Sequence, residues 1–216
     1  MKLINSFGPN PRVVRMFLAE KGLSIPTTDI DMLGGDNRKP PYTDKNPGGQ
    51  TPALELDDGS VLGETVVICE YLEEIHPTPV LVGRNAQERA EARQWQRRVE
   101  LNITEYVYNA FRFGEGLGLF KDRVHCIPPA SAEMKVSAQK WLSKLDGLIA
   151  GRDFIAGNEI RVADVVLYCC LDFAKDVGQP LDEANANIMA WFKRMDARPS
   201  ATASLSPNWT DVKMRG

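Results

Sequence analysis

Cysteine and histidine are scarce in this 216-residue chain. The cysteines are Cys69, Cys126, Cys169 and Cys170, and the histidines are His76 and His125. None of the cysteines forms a C-x-x-C pair, so a zinc site of ordinary ligand spacing cannot be written and no metal is expected. Cys69 and the Cys169-Cys170 pair sit in apolar segments and read as small core residues of a protein kept reduced, which points to the cytoplasm. No apolar run approaches the ~18 residues of a membrane helix. Met1-Lys2-Leu3-Ile4-Asn5 leads straight into a short strand, not into a signal peptide, so no membrane partner is expected. There is no excess of basic charge either. Lysine and arginine number 26 against 29 acids, a net charge of −3, which excludes nucleic acid as the main partner. Repeats and low-complexity tracts are absent as well.

What is present is an ordinary globular composition, 43% hydrophobic and 25% charged. A chain of this length can bury roughly 70% of its unfolded surface, as one large domain or two small ones. The first third alternates element types. Lys2 to Ser6 suggests a strand, and Pro11 to Lys21 a helix capped by Asn10 and closed by Gly22. Ile25 to Asp31 is a second strand. Leu33 to Lys45 is polar and undecided. Thr51 to Leu56 and Ser60 to Leu62 form a hairpin around Asp57-Asp58-Gly59, and Glu64 to Ile75 is an apolar helix.

His76-Pro77-Thr78-Pro79 breaks this pattern, and the strand signal nearly vanishes beyond it. Asn85-Ala86-Gln87-Glu88 is a capping box opening one long helix that runs past Tyr106. A helix follows Pro128-Pro129, with Trp141, Leu142, Leu145, Leu148 and Ile149 on one stripe. Val162 to Ala174 is apolar enough to be buried on most sides, and Ile188 to Met195 is a last short helix. The expected architecture is a βαβ-ββα domain over residues 1–76, a linker over 77–84 and an all-helical domain over 85–216.

Two motifs go beyond fold class. In Asn46-Pro47-Gly48-Gly49-Gln50-Thr51-Pro52-Ala53, a proline stands where a strand begins. A cis Thr51–Pro52 bond would leave the Thr51 backbone facing outward, open to an extended peptide. An ordinary trans proline at an edge strand is the alternative. Gly63-Glu64-Thr65 directly precedes a helix, where unpaired N–H groups and the helix dipole suit a carboxylate. Plain N-capping by Thr65 is the alternative there.

Together N-P-G-G-Q-T-P-A, G-E-T-V-V-I-C-E-Y-L and F-I-A-G-N-E-I-R-V-A-D-V-V-L resemble the cytosolic glutathione transferase family over almost all of the chain. The resemblance implies a thioredoxin-like first domain binding glutathione as co-substrate. The tripeptide would pair with Thr51 beside Pro52. Its γ-glutamyl carboxylate would sit at Glu64 and Thr65, and its glycine end would reach Gln50 and Lys39. The helical domain would hold the second substrate, and a homodimer is implied. Two departures stand out: Thr65 replaces a common serine, and Arg161 replaces the serine or threonine that usually opens the helix before Asp164. Asp164 would then cap that helix alone.

A free glutathione thiol titrates near ~8.5, so a transferase must lower it by about two units, roughly 2.7 kcal/mol. One hydrogen bond to the charged sulfur supplies ~1.5–3 kcal/mol, and a helix N-terminus ~0.3–2 kcal/mol. No general base is needed. The donor belongs in Ser6-Phe7-Gly8-Pro9-Asn10-Pro11-Arg12, which holds neither the tyrosine nor the cysteine used by other classes. Asn10 falls where the beta class has cysteine and where bacterial Nu-class proteins have asparagine, so Asn10 is the first candidate and Ser6 its rival.

Tyr106, Tyr108, Phe111, Arg112 and Phe113 form an aromatic stretch that is either core or pocket. The resemblance places it over the cleft, with Tyr106, Arg112 and Phe113 as second-substrate candidates. Arg112 would suit an anionic group. Gly114 to Gly118 reads as a mobile loop beside the pocket. The expected reaction is conjugation of the glutathione thiolate to an electrophilic aromatic small molecule. Disulfide or peroxide reduction and aryl-ether cleavage are alternative activities, the last because S-F-G-P and V-I-C-E-Y-L are similar to bacterial etherases of the family. A non-catalytic glutathione-binding module is a further alternative.

Overall fold

Strand β1 (Lys2–Asn5) occupies an inner position of a four-stranded sheet of order β2-β1-β3-β4. Helix α1 (Pro9–Lys21) makes the crossover to β2 (Thr27–Asp29), which runs parallel to β1 with Leu3 opposite Thr27. Strands β3 (Ala53–Glu55) and β4 (Val61–Leu62) form an antiparallel hairpin, with Leu3 opposite Leu54 and Leu54 opposite Leu62. The strands are shorter than the sequence suggests, but their order and partners give the expected thioredoxin-like sheet. The computed structural model describes residues 1–208; the tail of the expected 85–216 unit beyond them lies outside the described residues.

Helix α1 ends where the sequence says it should. Gly22 is left-handed at φ 64°, a conformation that costs glycine little. Its start differs. Pro9 opens the helix and Gly8 takes the cap position, which places Asn10 in the first turn and not at the cap. The undecided stretch folds as a 3₁₀ turn (Asp36–Arg38) and the short helix α2 (Tyr42–Lys45). Helix α3 (Thr65–Ile75) buries Ile68, Cys69 and Leu72 against the sheet.

Ten helices are described in all. Asn85 caps α4 (Ala86–Val99), its side chain accepting from the Glu88 N–H at 3.0 Å, as the capping box predicts. The long helix is not continuous. A π-helical turn at Glu100–Thr104 separates α4 from α5 (Glu105–Phe113) and resets the face that α5 presents. The expected loop of Gly114 to Gly118 runs into helix α6 (Leu117–Phe120), so its last two residues are helical. Helix α7 (Ser131–Leu148) buries Leu142 and Leu145, and Ile149 just past its end is buried too, whereas Leu148 faces outward. Helix α8 (Val162–Asp176) is buried from Val162 through Ala174. Helix α9 (Ala186–Asp196) is followed by α10 (Pro199–Ala203), which the sequence reading did not include.

Three polar ties fasten this core. Asp164 at the head of α8 accepts from the N–H groups of Ile155 and Arg161 and from the Trp191 indole, each at 2.8 Å. Its carboxylate thus caps the helix without help from a serine or threonine. Burial still holds its pKa up at about 6. Lys21 of α1 is ion-paired with Glu73 of α3 and donates to the carbonyls of His76 and Pro79. Arg12 of α1 is wholly buried against Asp172 of α8.

Candidate active site

Two adjoining cavities lie between the sheet side and the helices. One, of about 650 Å³, runs between α3 and the α4–α5 pair; Gln50, Glu64 and Thr65 stand on its sheet side. The other, of about 240 Å³, is walled by aromatic side chains, among them Phe7, Phe111, Phe113, Phe120 and Phe173. Asn10, Gln50, Tyr108 and Arg112 belong to the walls of both.

The peptide edge is formed at Thr51. The Thr51–Pro52 bond is cis. Among the described residues, no hydrogen bond is made by the Thr51 N–H or C=O, so both are open to a ligand. The segment before it is held firmly. The Gln50 carbonyl accepts from Asn46 Nδ2 at 2.8 Å and from the Tyr42 hydroxyl. Asn37 Nδ2 donates to the Gly49 carbonyl at 2.6 Å. Gly49 has φ 58°, and a Cβ there would meet the Asn37 carbonyl oxygen at 2.8 Å, so glycine is required.

The start of α3 supplies the second element. Its first backbone bond runs from Ile68 N–H to the Glu64 carbonyl at 3.0 Å, which leaves the N–H groups of Thr65, Val66 and Val67 without helical partners. Glu64 sits at the cap with φ 64°, the one described non-glycine residue with positive φ. Such a conformation costs a β-carbon-bearing residue about 1–3 kcal/mol. Thr65 is the first helical residue and not the cap.

Asn10 lies where the cavities meet. Of the four N–H groups a helix leaves unpaired at its start, Pro9 and Pro11 remove two, leaving those of Gly8 and Asn10. The Asn10 side-chain amide makes no hydrogen bond among the described residues. The segment therefore offers a free amide at the mouth of a weakened helix terminus.

The structure does not gather all the expected site residues. Ser6 is 3% exposed, with its Oγ 2.6 Å from Thr51 Oγ1, and it lines neither cavity. Lys39 is ion-paired with Asp36 at 2.7 Å and lines a separate cleft with Lys2, Asp29 and Glu55. Tyr106 packs against the core and lines neither cavity. Arg112 and Phe113 do line the aromatic cavity. Residues that the sequence reading did not single out as site candidates also stand there: Arg38, His125 and Tyr108. Burial pushes the Tyr108 hydroxyl well above the phenol range, so it remains a neutral donor. Arg38 lies inside the aperiodic polar stretch Leu33 to Lys45 and Tyr108 belongs to a stretch that also reads as core, so neither carries a distinctive signal. Among the described residues no group of three or more histidine, cysteine or acidic side chains could hold a metal ion.

Comparison with known proteins gives one consistent picture. Residues 7–75 match the glutathione S-transferase N-terminal domain and residues 129–199 match the C-terminal domain. Glutathione S-transferase 2 of Saccharomyces cerevisiae is 31% identical over 200 residues, covering 89% of this chain and 84% of that protein. The maleylacetoacetate isomerase of Pseudomonas aeruginosa is 31% identical over 171 residues, covering 78% of each. The crystal structure of Gtt2 from Saccharomyces cerevisiae superposes with a TM-score of 0.88 at 30% identity, covering 95% of this chain and 100% of that one. A glutathione S-transferase domain-containing protein of Marinobacter aquaeolei VT8 superposes with a TM-score of 0.87 at 33% identity, covering 94% and 100%.

Proposed function

The chain belongs to the glutathione S-transferase family, and from that premise we propose that it joins the glutathione thiolate to an electrophilic aromatic small molecule. The observation that carries this reading is the position of Asn10, in the wall shared by the two cavities. A tripeptide paired with the open Thr51 backbone would project its thiol toward that shared wall. Its γ-glutamyl carboxylate would take the free N–H groups at the start of α3, with Glu64 facing the α-amino group. Its glycine carboxylate would meet Arg38, which lines the aromatic cavity beside Thr51, and not Lys39.

The sulfur is ionised by donors alone. With two of four terminal N–H groups missing, the helix contributes toward the lower end of its ~0.3–2 kcal/mol range. The Asn10 amide then supplies most of the required shift, about 1.5–3 kcal/mol for a hydrogen bond to a charged atom. The thiolate attacks an electrophilic carbon held against the aromatic wall, and the leaving group departs with its bonding pair. Phe113 and Arg112 are second-substrate contacts in this reading. Residues 1–76 serve as the glutathione-binding unit, 77–84 as the connection and 85–216 as the acceptor-binding unit. A homodimer and a cytoplasmic location complete the proposal, in keeping with the family. No described helix is long and apolar enough to cross a membrane.

Parallel assays with an aryl halide, a mixed disulfide and a hydroperoxide test the reaction type. Conjugation is expected to dominate. Faster turnover of the disulfide or peroxide would replace conjugation with reduction, and failure to bind glutathione in calorimetry would remove the enzymatic account altogether.

A further inference from the structure

The aromatic cavity carries a charge imbalance. Arg38, Arg112 and His125 line it, and among the described residues no aspartate or glutamate does. Arg38 and Arg112 form no ion pair among the described residues. Arg112 donates to the Asn109 side-chain oxygen at 2.9 Å and lies 5.9 Å from the Phe120 ring centre. Arg123 adds a third guanidinium nearby, spent on the carbonyls of Met32 at 2.8 Å and Leu33 at 3.0 Å. Burial lowers the Arg38 pKa, and the positive charges of Arg123 and Arg112 lower it further. Arg38 and His125 are exposed and Arg112 is half-buried, so this wall presents positive charge to an incoming ligand.

The tripeptide does not supply that anion at Arg112. On the reading above, on which this inference rests, its γ-glutamyl carboxylate is held at the start of α3 and its glycine carboxylate at Arg38. Arg112, in the wall shared with the larger cavity, faces the phenylalanines of the aromatic one and meets neither carboxylate. We propose that the second substrate is an anionic aromatic electrophile, its ring against Phe111, Phe113 and Phe120 and its carboxylate-like group on Arg112, with His125 as an additional donor. Arg112 acts here as a specificity-determining contact. The planar guanidinium matches a carboxylate bidentately, which an ammonium does not reproduce.

The reaction balances without a further reagent. The thiolate adds to the ring carbon bearing a halide, the C–S bond forms, and halide leaves with the C–halogen electron pair.

The test compares 4-chloro-3-nitrobenzoate with its neutral amide, 4-chloro-3-nitrobenzamide, each rate divided by the uncatalysed rate with glutathione. The carboxylate is expected to be favoured in kcat/KM by about tenfold or more, the scale of one charge-assisted hydrogen bond. Arg112→Gln should bring that ratio close to one, and Arg112→Lys should keep part of it. An equal ratio in the unmodified protein, or one unaffected by Arg112→Gln, would overturn the proposal. Calorimetric binding of 3-nitrobenzoate and 3-nitrobenzamide to the full chain, with and without S-methylglutathione, separates this idea from the transferase reading. Tighter binding of the anion, lost in Arg112→Gln, with no turnover of either chloride, would sustain the anion site and sink conjugation. Equal binding of the two would sink the anion site whatever the turnover.

Discussion

The Ser6 hydroxyl lies 2.6 Å from Thr51 Oγ1, beneath the peptide edge and out of both cavities. Its carbonyl is held by Arg15 at 2.9 Å. Ser6 is thus placed to brace Thr51, while Asn10 lies in the wall shared by the two cavities. Ser6→Ala is expected to cost about 1 kcal/mol of stability, the ordinary worth of one hydrogen bond, and to leave the titration of bound glutathione in place. Asn10→Ala should raise that titration by about one unit or more and lower kcat/KM by roughly tenfold to a hundredfold. Ultraviolet difference spectra of the thiolate against pH, with kinetics, check both.

Arg38 and Lys39 are neighbours in sequence, yet they serve different clefts. Arg38→Ala should raise the KM for glutathione about tenfold by removing the charge-assisted contact to the glycine carboxylate. Lys39→Ala breaks only an exposed ion pair with Asp36 and should change KM less than twofold, since such pairs contribute about 0–1 kcal/mol. A glutathione saturation series on the two variants distinguishes them. The reverse ranking would restore Lys39 to the site.

That pair also shows where local sequence signals run out. Gly22, the Asn85 capping box and the Asp57-Asp58-Gly59 hairpin each act over a few residues, and each is legible. Helix α1 starts at Pro9 and not at Pro11 as the sequence suggests, because Pro9, Asn10 and Pro11 all suit a first turn. Only the conformation of Gly8, φ 112°, decides which residue is the cap. The π turn at Glu100–Thr104 carries no glycine or proline to mark it, so α4 and α5 read as one helix. Arg38, His125 and Tyr108 come from three distant segments. What joins them is tertiary packing, which no local period encodes.

Glu64 holds a backbone conformation that favours glycine. Glu64→Gly is expected to stabilise the protein by about 1 kcal/mol through release of that strain, while raising the KM for glutathione. Glu64→Gln keeps the β-carbon and should gain no stability, yet it should lose affinity with the charge. Urea midpoints measured beside glutathione titrations separate the two contributions. A Glu64→Gly variant no more stable than the parent would mean the strain is offset elsewhere.

Arg12 and Asp172 join α1 to α8 with no exposed surface on either side chain. Lys175 also pairs with Asp172, at 2.8 Å. Nearby, Arg198 grips Glu20 of α1 through bonds of 2.6 and 2.7 Å. Burial alone would raise both carboxyl groups, but Arg12 and Lys175 hold Asp172 below its ordinary 3.8, and Arg198 with Ser200 holds Glu20 below its ordinary 4.5. Carboxylates with depressed folded values stabilise fully above their unfolded values. They lose that contribution as pH falls through the folded ones. Stability should therefore be flat in this respect at neutral pH and decline below about pH 4. Arg12→Met removes the fully buried cation from Asp172 and should cost about 3–5 kcal/mol at neutral pH. Because Arg12 supplies a large part of the lowering at Asp172, the variant should show a shallower acid slope than the parent. Urea midpoints across that range measure it. Since Asn10 lies two residues before Arg12 in the first turn of α1, acid should reduce activity through this joint before the sheet itself unfolds, with activity falling ahead of far-ultraviolet ellipticity.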